Sequence, residues 1–576
     1  MHSTNEKPNI LWISLEDTSP RMGCYGDNVA RTPNIDRLAQ EGTMYENAFC
    51  TAGVCAPSRS SIITGMYANS IGTHHMRTEH DNKQTPELPT PYYAVPPAHV
   101  KLIPEILRAN GYYTTNNAKT DYQFLPPVTA WDENGTKAHW RNRNSGQPFF
   151  SVFNYDATHE SAMFADNPMA QLLPLLERGQ PLPEQVKNLF KGRSIEEIKK
   201  SITQERPVVT DPDKVEVPPY LPDTPKTRLS IAKLYDRIAD ADQFVGKLLE
   251  QLEEDGLRDN TIVILWSDHG EGLPRAKRWP YDAGIRIPLI VRWPGKISEG
   301  HTTAQLVSLI DLGPTMLSLA DIPVPQHIQG KTFIGNDDEE RQYVFATRDR
   351  YDEAYDKVRA IRDDRFKYIR NYYPENPYMQ WVAFSHDHPA FQELWRLQLA
   401  GEAKGDLQAF LQNKRPPEEL YDCVNDPDEL NNLASDPQYK EQLGILRAEL
   451  DKWCEKYDVW GDIPEDQMVK TMWPEGIQPQ TAKPLFIPIN GQVRGKVAAS
   501  EGVYHEPTAI MLHSATQGAS ITYTFEEGDN ANWKLYTGPI ILNEGSKQIR
   551  AKSVRIGYKD SEEAVGLFEV AKKSDK

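Results

Sequence analysis

Three short stretches hold side chains that could do chemistry together. Glu16-Asp17 closes the apolar run NILWISL, Asp268-His269 closes the run NTIVILWS, and Cys55 opens the stretch CAPSRSSIITG. Either acidic pair alone reads as well as a cap or turn. Two of them at the ends of apolar strands, in a chain with few cysteines, suit one hard cation bound through oxygen, Ca2+ or Mg2+. Cys55 has three readings. It can be a small buried hydrophobe, the commonest fate of a free cysteine. It can be a thiolate whose pKa falls at the helix start marked by Pro57 and Ser58, with Arg59 helping. It can also be the precursor of something else. No histidine lies close to it in sequence.

For these residues to meet, their strands must lie in one sheet, and the rest of the chain supplies such a sheet. TPNIDRLAQEGTMYENAF reads as a helix and then a strand. LIPEILRANGYYTTNNAK reads as helix, Gly turn and strand, and PFFSVFNYDATH as a strand ending in polar residues. RLSIAKLYDRIADADQFVGKLLEQLEEDG is an amphipathic helix with a stop at Gly256. Alternating strands and helices predict an α/β fold. After about Asp337 the pattern changes to antiparallel strands closed by the helix LGILRAELDKWCEKY. A Pro-rich stretch from Asp462 to Pro488 reads as a linker. The short alternating strands beyond it predict a β-sandwich, similar to the fibronectin-like or chitobiase C-terminal modules of glycan-active enzymes. The expected division is 8–340, a catalytic α/β domain; 341–475, a smaller α+β subdomain; and 484–572, an accessory sandwich.

At 576 residues the chain is too long for one core. Its net charge of -18 argues against nucleic acid, whose phosphates need a basic face. A small basic pocket for an anion remains compatible with that field. The cysteines Cys24, Cys50, Cys55, Cys423 and Cys454 have neither disulfide-scaffold nor zinc spacing. No apolar stretch is long enough to span a bilayer. Met1 to Pro8 is polar and lacks a signal core. The expectation is a periplasmic or secreted protein whose export signal has been removed.

Cys55-Ala56-Pro57-Ser58-Arg59, continuing as SSIITG, resembles the Cys-x-Pro-Ser-Arg signature of type I sulfatases. PNILWISLED and TPNIDRLAQEGTMYENAF resemble the family's opening segments, and SDHGEGLPRAKRWPYDAGIRIPLIVRWPG its late metal and lysine segment. The likeness runs from about Pro8 to Asp458 and is closest to the heparan N-sulfatase (sulfamidase) branch, including LYDCVNDPDELNNLA. It implies an alkaline-phosphatase-like sulfatase fold with a central mixed sheet, a smaller C-terminal α+β subdomain and the appended sandwich. It also implies that Cys55 is oxidised to Cα-formylglycine by a formylglycine-generating or anaerobic sulfatase-maturing enzyme. Glu16, Asp17, Asp268 and His269 fall at the metal-ligand places, with Ca2+ expected and Mg2+ the alternative. Arg59 would stabilise the hydrated aldehyde, Lys119 and Lys277 fall at the sulfate-binding lysines, and His159 at the sulfate-contacting histidine. One hydroxyl of the hydrated aldehyde attacks sulfur, and the other later expels sulfate. The family usually has aspartate where Glu16 stands, asparagine where His269 stands, and histidine where Asp121 stands.

The substrate side is read from GTHHMRTEHD, which offers His74, His75, Arg77 and His80. It is either a solvated loop or a rim holding an anionic sugar, with Asp121 beside the leaving group. Glu160 to Pro222 reads as an insertion shaping the pocket. Trp381, Trp395 and Trp473 are either sugar-stacking or packing residues. The expected activity is hydrolysis of sulfate esters on a sulfated polysaccharide or its oligosaccharides, of algal type such as ulvan or carrageenan. The alternatives are the N-sulfate of heparan glucosamine, which the closest branch favours, a phosphoester hydrolase of the same superfamily, and an inactive glycan-binding protein.

Overall fold

The computed structural model describes residues 7–81, 84–164, 172–180, 193–203, 207–335, 340–528 and 531–571. The main sheet contains β1 (Asn9–Leu15), β2 (Thr43–Phe49), β3 (Tyr113–Asn117), β4 (Glu133–Asn134), β5 (Phe149–Tyr155), β6 (Thr261–Ser267), β7 (Leu289–Arg292) and β8 (His301–Ser308). Their order is β4-β3-β5-β1-β6-β7-β2-β8. The sheet is mixed, because β7 runs antiparallel to both β6 and β2 while the remaining pairs are parallel.

β1 is apolar on both faces and buried throughout, as a central parallel strand must be. Ile10 and Trp12 enter the core on one side, and Leu11, Ile13 and Leu15 the core on the other. Leu15 is level with Tyr155 of β5 and with Ser267 of β6. Glu16-Asp17, Asp268-His269 and His159 therefore leave the same edge of the sheet, where open α/β sheets collect ligands.

Helices cover both faces. The helix Pro225–Glu254 buries Ala241, Val245, Leu248, Leu249 and Leu252 against the sheet. It starts a little before the apolar periodicity, because the Thr224 hydroxyl accepts the Thr227 N–H at 3.3 Å and Pro225 takes the first turn. Gly256, with φ of 67°, ends it. α1 (Pro33–Gln40) buries Ile35 and Leu38. α2 (Cys55–Thr64) is buried along its whole length and has no solvent face. Of the segment 160–222, expected as a pocket-shaping insertion, residues 165–171, 181–192 and 204–206 lie outside the described residues.

The second sheet is antiparallel, in the order β12-β11-β10-β9, with β9 (Val344–Arg348), β10 (Val358–Arg362), β11 (Phe366–Asn371) and β12 (Glu418–Asp422). The helix Lys440–Tyr457 packs on it through Leu443, Leu446, Leu450 and Trp453. The stretch expected as a Pro-rich linker departs from that reading. It contains the helix Glu465–Met472, whose Met468 and Met472 are buried with Tyr92. Glu465 accepts from both sides of the Arg350 guanidinium, at 2.5 and 2.7 Å, and from Tyr92 and Tyr355 at 2.8 and 2.7 Å. Proline content signalled a connector, but apolar residues four apart decided for a packed helix.

From Leu485 to Val570, a three-stranded and a five-stranded sheet enclose Phe486, Ile510, Leu512, Ile549 and Phe568. This sandwich is docked on the main domain. Lys101 donates to the Gly518 carbonyl at 2.9 Å and to Ser520 at 2.7 Å, and Arg108 donates to the Trp533 carbonyl at 2.7 Å. Ile556 is buried in the main core. Gly518 has φ of 75°, and a Cβ there would lie 2.1 Å from the Ala98 carbonyl oxygen, so only glycine allows this approach. Truncation after Ala482 is expected to keep turnover of a small aryl sulfate within about threefold and to lower the melting temperature by several degrees, as lost interdomain contacts dictate. Loss of turnover by a folded truncated chain would make the sandwich part of the site.

Candidate active site

Three strand ends and one helix start converge on Cys55. Its Sγ lies 3.5 Å from Glu16 Oε1, 3.9 Å from Asp17 Oδ1 and 3.3 Å from His269 Nε2. Burial pushes the thiol pKa up and outweighs the pull of Lys277 and Lys119. A thiol held protonated is a poor nucleophile, so the direct thiolate reading loses its support.

The carboxylates are held on all sides. Asp17 Oδ1 lies 2.9 Å from His269 Nε2, while Asp17 Oδ2 accepts from Lys277 Nζ at 2.7 Å and from the Glu160 N–H at 2.7 Å. Burial raises the Asp17 pKa, but Lys277 and His269 outweigh it and hold the carboxyl well below its ordinary value. Asp268 accepts from Arg59 Nε at 2.8 Å and from the Asp17 N–H at 3.1 Å. Its pKa is also lowered, as Arg59 outweighs burial. Glu16 pairs with Lys119, yet burial still leaves its pKa raised. Its second oxygen, Oε2, is buried with no hydrogen-bond partner.

That orphaned oxygen is the test of whether a cation fits. Donor atoms of Asp17, Cys55, Asp268 and His269 lie within 4.8 Å of one another, as do those of Glu16, Asp17, Cys55 and His159. Carboxylate oxygens at this density, one of them unsatisfied, suit a divalent cation. The imidazole at His269 is also suited. Its Nδ1 lies 2.9 Å from the Gly270 carbonyl, which can only accept, so Nδ1 carries the proton and Nε2 faces the carboxylates. Burial lowers the His269 pKa, but Asp268 and Asp17 hold it well above its ordinary value, another sign that this point calls for positive charge. Calcium or magnesium at about 100 times its dissociation constant is expected to stabilise the fold by about 2.7 kcal/mol, read as a rise in melting temperature that a chelator reverses. Asp268→Asn should remove that shift. A parent protein whose melting temperature ignores both ions would hold no such cation.

The anion-binding candidates divide. Lys277 is buried between Asp17 and Glu160, the latter at 3.1 Å. Lys119 sits between Glu16 and Asp121, the latter at 3.8 Å. Asp282, Cys423 and Glu429 form a separate cluster, but Lys367 pairs with Asp282 at 2.5 Å and Glu429 at 2.8 Å and supplies its positive charge. His159 Nδ1 lies 3.3 Å from the Ser161 N–H, so Nδ1 accepts and Nε2 keeps the proton. Burial and Lys277 push its pKa down to about 3, which keeps the ring neutral.

Arg77 forms an ion pair with Asp352 at 2.5 Å and lies 5.3 Å from the centre of the Phe384 ring. His80 and Asp121 are partly exposed nearby. His74 and His75 are drawn inside, with 1% and 7% exposure and rings 4.2 Å apart. Their charged neighbours are Asp349, Arg359 and Glu465. The two histidines therefore pack toward the second sheet, and the rim position expected for them is corrected. Met76, whose N–H donates to the Arg350 carbonyl at 2.9 Å, ties that end of the loop down.

The family description Sulfatase matches residues 8–322. An ulvan-active sulfatase of Formosa agariphila is 41% identical over 562 residues, 96% of this chain and 90% of that protein. The chain belongs to the sulfatase family.

This sulfatase also matches the description N-sulphoglucosamine sulphohydrolase, C-terminal, over residues 270–415. Human N-sulphoglucosamine sulphohydrolase is 28% identical over 501 residues, 81% of this chain and 94% of that one. A protein solved in complex with its substrate D-glucosamine-2-N,6-O-disulfate superposes with a TM-score of 0.53 at 20% identity, covering 80% of this chain and 99% of that chain, and so shares the fold. No helix among the described residues is long and apolar enough to cross a membrane.

Sequence reasoning about this sulfatase missed three supporting residues. Glu160 accepts both Arg278 guanidinium nitrogens at 2.9 and 3.0 Å, and Arg278 also reaches Asp352 at 3.2 Å. Asn154 accepts from Arg59 at 3.0 Å. Glu160 and Arg278 each directly follow a motif residue, which is the one signal the sequence held. Asp17, Arg77, Asp121, Arg278 and Asp352 all have positive φ without being glycine, and such strained conformations gather at functional sites.

Proposed function

We propose that this sulfatase hydrolyses O-sulfate esters on ulvan-type polysaccharide or its oligosaccharides, with Cys55 converted to Cα-formylglycine. The observation that carries the reading is the meeting of Cys55, three carboxylates, His269 and two lysines at one sheet edge. The 41% identity to an ulvan-active sulfatase over 96% of the chain points to the glycan.

As formylglycine, residue 55 would add water to give two hydroxyls on one carbon. One would attack sulfur and release the sugar hydroxyl, and the other, losing its proton, would expel sulfate and restore the aldehyde. Glu16, Asp17, Asp268 and His269 would hold the divalent cation, Ca2+ or Mg2+, which offsets charge on the sulfuryl oxygens. Arg59 holds Asp268 through its Nε at 2.8 Å, so its charge serves a ligand as well as the neighbouring residue 55. Lys119 and Lys277 supply preorganised positive charge against the sulfuryl group, in a chain otherwise at -18. His159, neutral with its proton on Nε2, donates a hydrogen bond to a sulfate oxygen. Arg77 and Asp121 contact the sugar side.

Cys55 is 1% exposed at the head of a wholly buried helix. The maturation enzyme, of formylglycine-generating or anaerobic type, therefore acts before this region folds. Such a chain belongs in the periplasm or outside the cell, where sulfated polysaccharide is met.

The match of residues 270–415 to an N-sulphoglucosamine sulphohydrolase region favours a second reading, removal of N-sulfate from heparan glucosamine. Sulfate release from defined ulvan, carrageenan and heparan oligosaccharides separates the two. Release from ulvan fragments is the expected outcome, and release confined to N-sulfated glucosamine would overturn it.

A further inference from the structure

Three tryptophans stood out in the sequence, and their surroundings differ. Trp473 packs with Met468 and Met472, and its indole N–H donates to the Tyr93 carbonyl at 3.0 Å. Trp395 stacks on His386 with ring centres 6.5 Å apart. Trp381 is 46% exposed, and among the described residues its ring has no stacking partner and its N–H no acceptor. An indole is costly to leave in water, so an unpartnered one on a well-anchored segment has little to do for the fold.

That segment is anchored at the candidate site. Phe384, three residues on, places its ring 5.8 Å from that of His159 and under the Arg77 guanidinium. The Ala383 N–H donates to Glu353 Oε2 at 3.1 Å, and Gln380 Nε2 donates to the Tyr355 carbonyl at 3.1 Å. Tyr355 is itself 47% exposed, with its hydroxyl fixed on Glu465. The segment that carries the exposed Trp381 is thus the one whose Phe384 packs on Arg77 and His159.

We propose that Trp381 is a stacking platform for the pyranose ring next to the sulfated sugar, so that the enzyme recognises a glycan chain. This rests on the glycan-desulfating reading above. The C–H face of a pyranose carries a weak positive edge that suits the negative face of an indole, and its hydroxyls remain in water. Charged and aromatic groups then divide the work. Lys119, Lys277 and Arg77 take the sulfated sugar, and Trp381 takes the face of its neighbour.

The test measures two quantities in the full chain. One is the affinity of sulfated ulvan oligosaccharides for the Cys55→Ala protein with and without Trp381→Ala. The other is kcat/KM of the matured enzyme on an oligosaccharide and on a small aryl sulfate. Trp381→Ala is expected to weaken oligosaccharide binding about tenfold, with a clearly smaller loss on the aryl sulfate, and Trp381→Phe to keep most of the affinity. Unchanged oligosaccharide affinity overturns the platform and leaves the sulfatase reading standing. Equal losses on both substrates overturn it too, because Trp381 would then act on the sulfate pocket. A parent protein that binds oligosaccharide through Trp381 yet releases no sulfate supports the platform and overturns the reaction.

Discussion

Cys55→Ser is expected to fold like the parent and to stop after one turnover. Serine is close in volume to cysteine, and Glu16 Oε1, 3.5 Å from the thiol, can accept from its hydroxyl. A serine ester of sulfate has no second hydroxyl on the same carbon to expel the sulfate. Steady-state turnover on an aryl sulfate should fall by at least about 10⁴-fold, the scale seen when a nucleophile is lost. Mass spectrometry should find one sulfuryl group on the peptide that contains position 55. Sustained turnover by this variant would reject formylglycine chemistry and return Cys55 to a packing role. In the parent, the same peptide should show the loss of sulfur that marks the aldehyde.

The second large effect is at Lys277. Its side chain is 2% exposed and is shared between Asp17 at 2.7 Å and Glu160 at 3.1 Å. Burial lowers the lysine pKa, but Asp17 outweighs it and holds it well above the ordinary value, so the charge is always present. Lys277→Ala removes a cation from a dry site where sulfuryl charge must be met. The expected loss is about 3 kcal/mol or more, roughly a hundredfold, and mostly in kcat. Part of it arises through Asp17, which loses a partner while buried. Arg278 still holds Glu160, so the fold should survive. Lys119→Ala is expected to fall by a similar factor. Near-parental kinetics in both variants would reject the anion pocket.

Much of this site was legible because its parts are local. Cys55, Pro57 and Arg59 lie within two turns of one helix, so their spacing is itself the geometry. Glu16-Asp17 and Asp268-His269 each end an apolar run, and the end of a buried strand is visible as a change from apolar to charged residues. Their partners were not legible. Glu160 matters because Arg278, Lys277 and the Asp17 carboxylate all reach it, and nothing near Glu160 in the chain announces those contacts. His74 and His75 read as polar loop residues, yet they are buried among charged groups from the second sheet. The helix Glu465–Met472 was hidden by flanking prolines, although its methionines four apart carried the packing.

The sequence by itself determined the α/β alternation, the sandwich strands after Leu485, the helix that begins at Cys55 and the acidic strand ends. These follow from hydrophobic periodicity and from motifs of a few residues, which are properties of neighbouring positions. Tertiary structure alone decided the strand order β4-β3-β5-β1-β6-β7-β2-β8, the docking of the sandwich on Lys101 and Arg108, and the state of the three tryptophans, with Trp473 packed, Trp395 exposed but stacked on His386, and Trp381 the most exposed. It also set the charge balance around Cys55. Burial raises the cost of the carboxylates there, and the main opposing charges, Lys119 for Glu16, Lys277 for Asp17 and Arg59 for Asp268, come from distant segments. Electrostatic energy depends on distance in space and on dielectric, and neither can be read from separation along the chain.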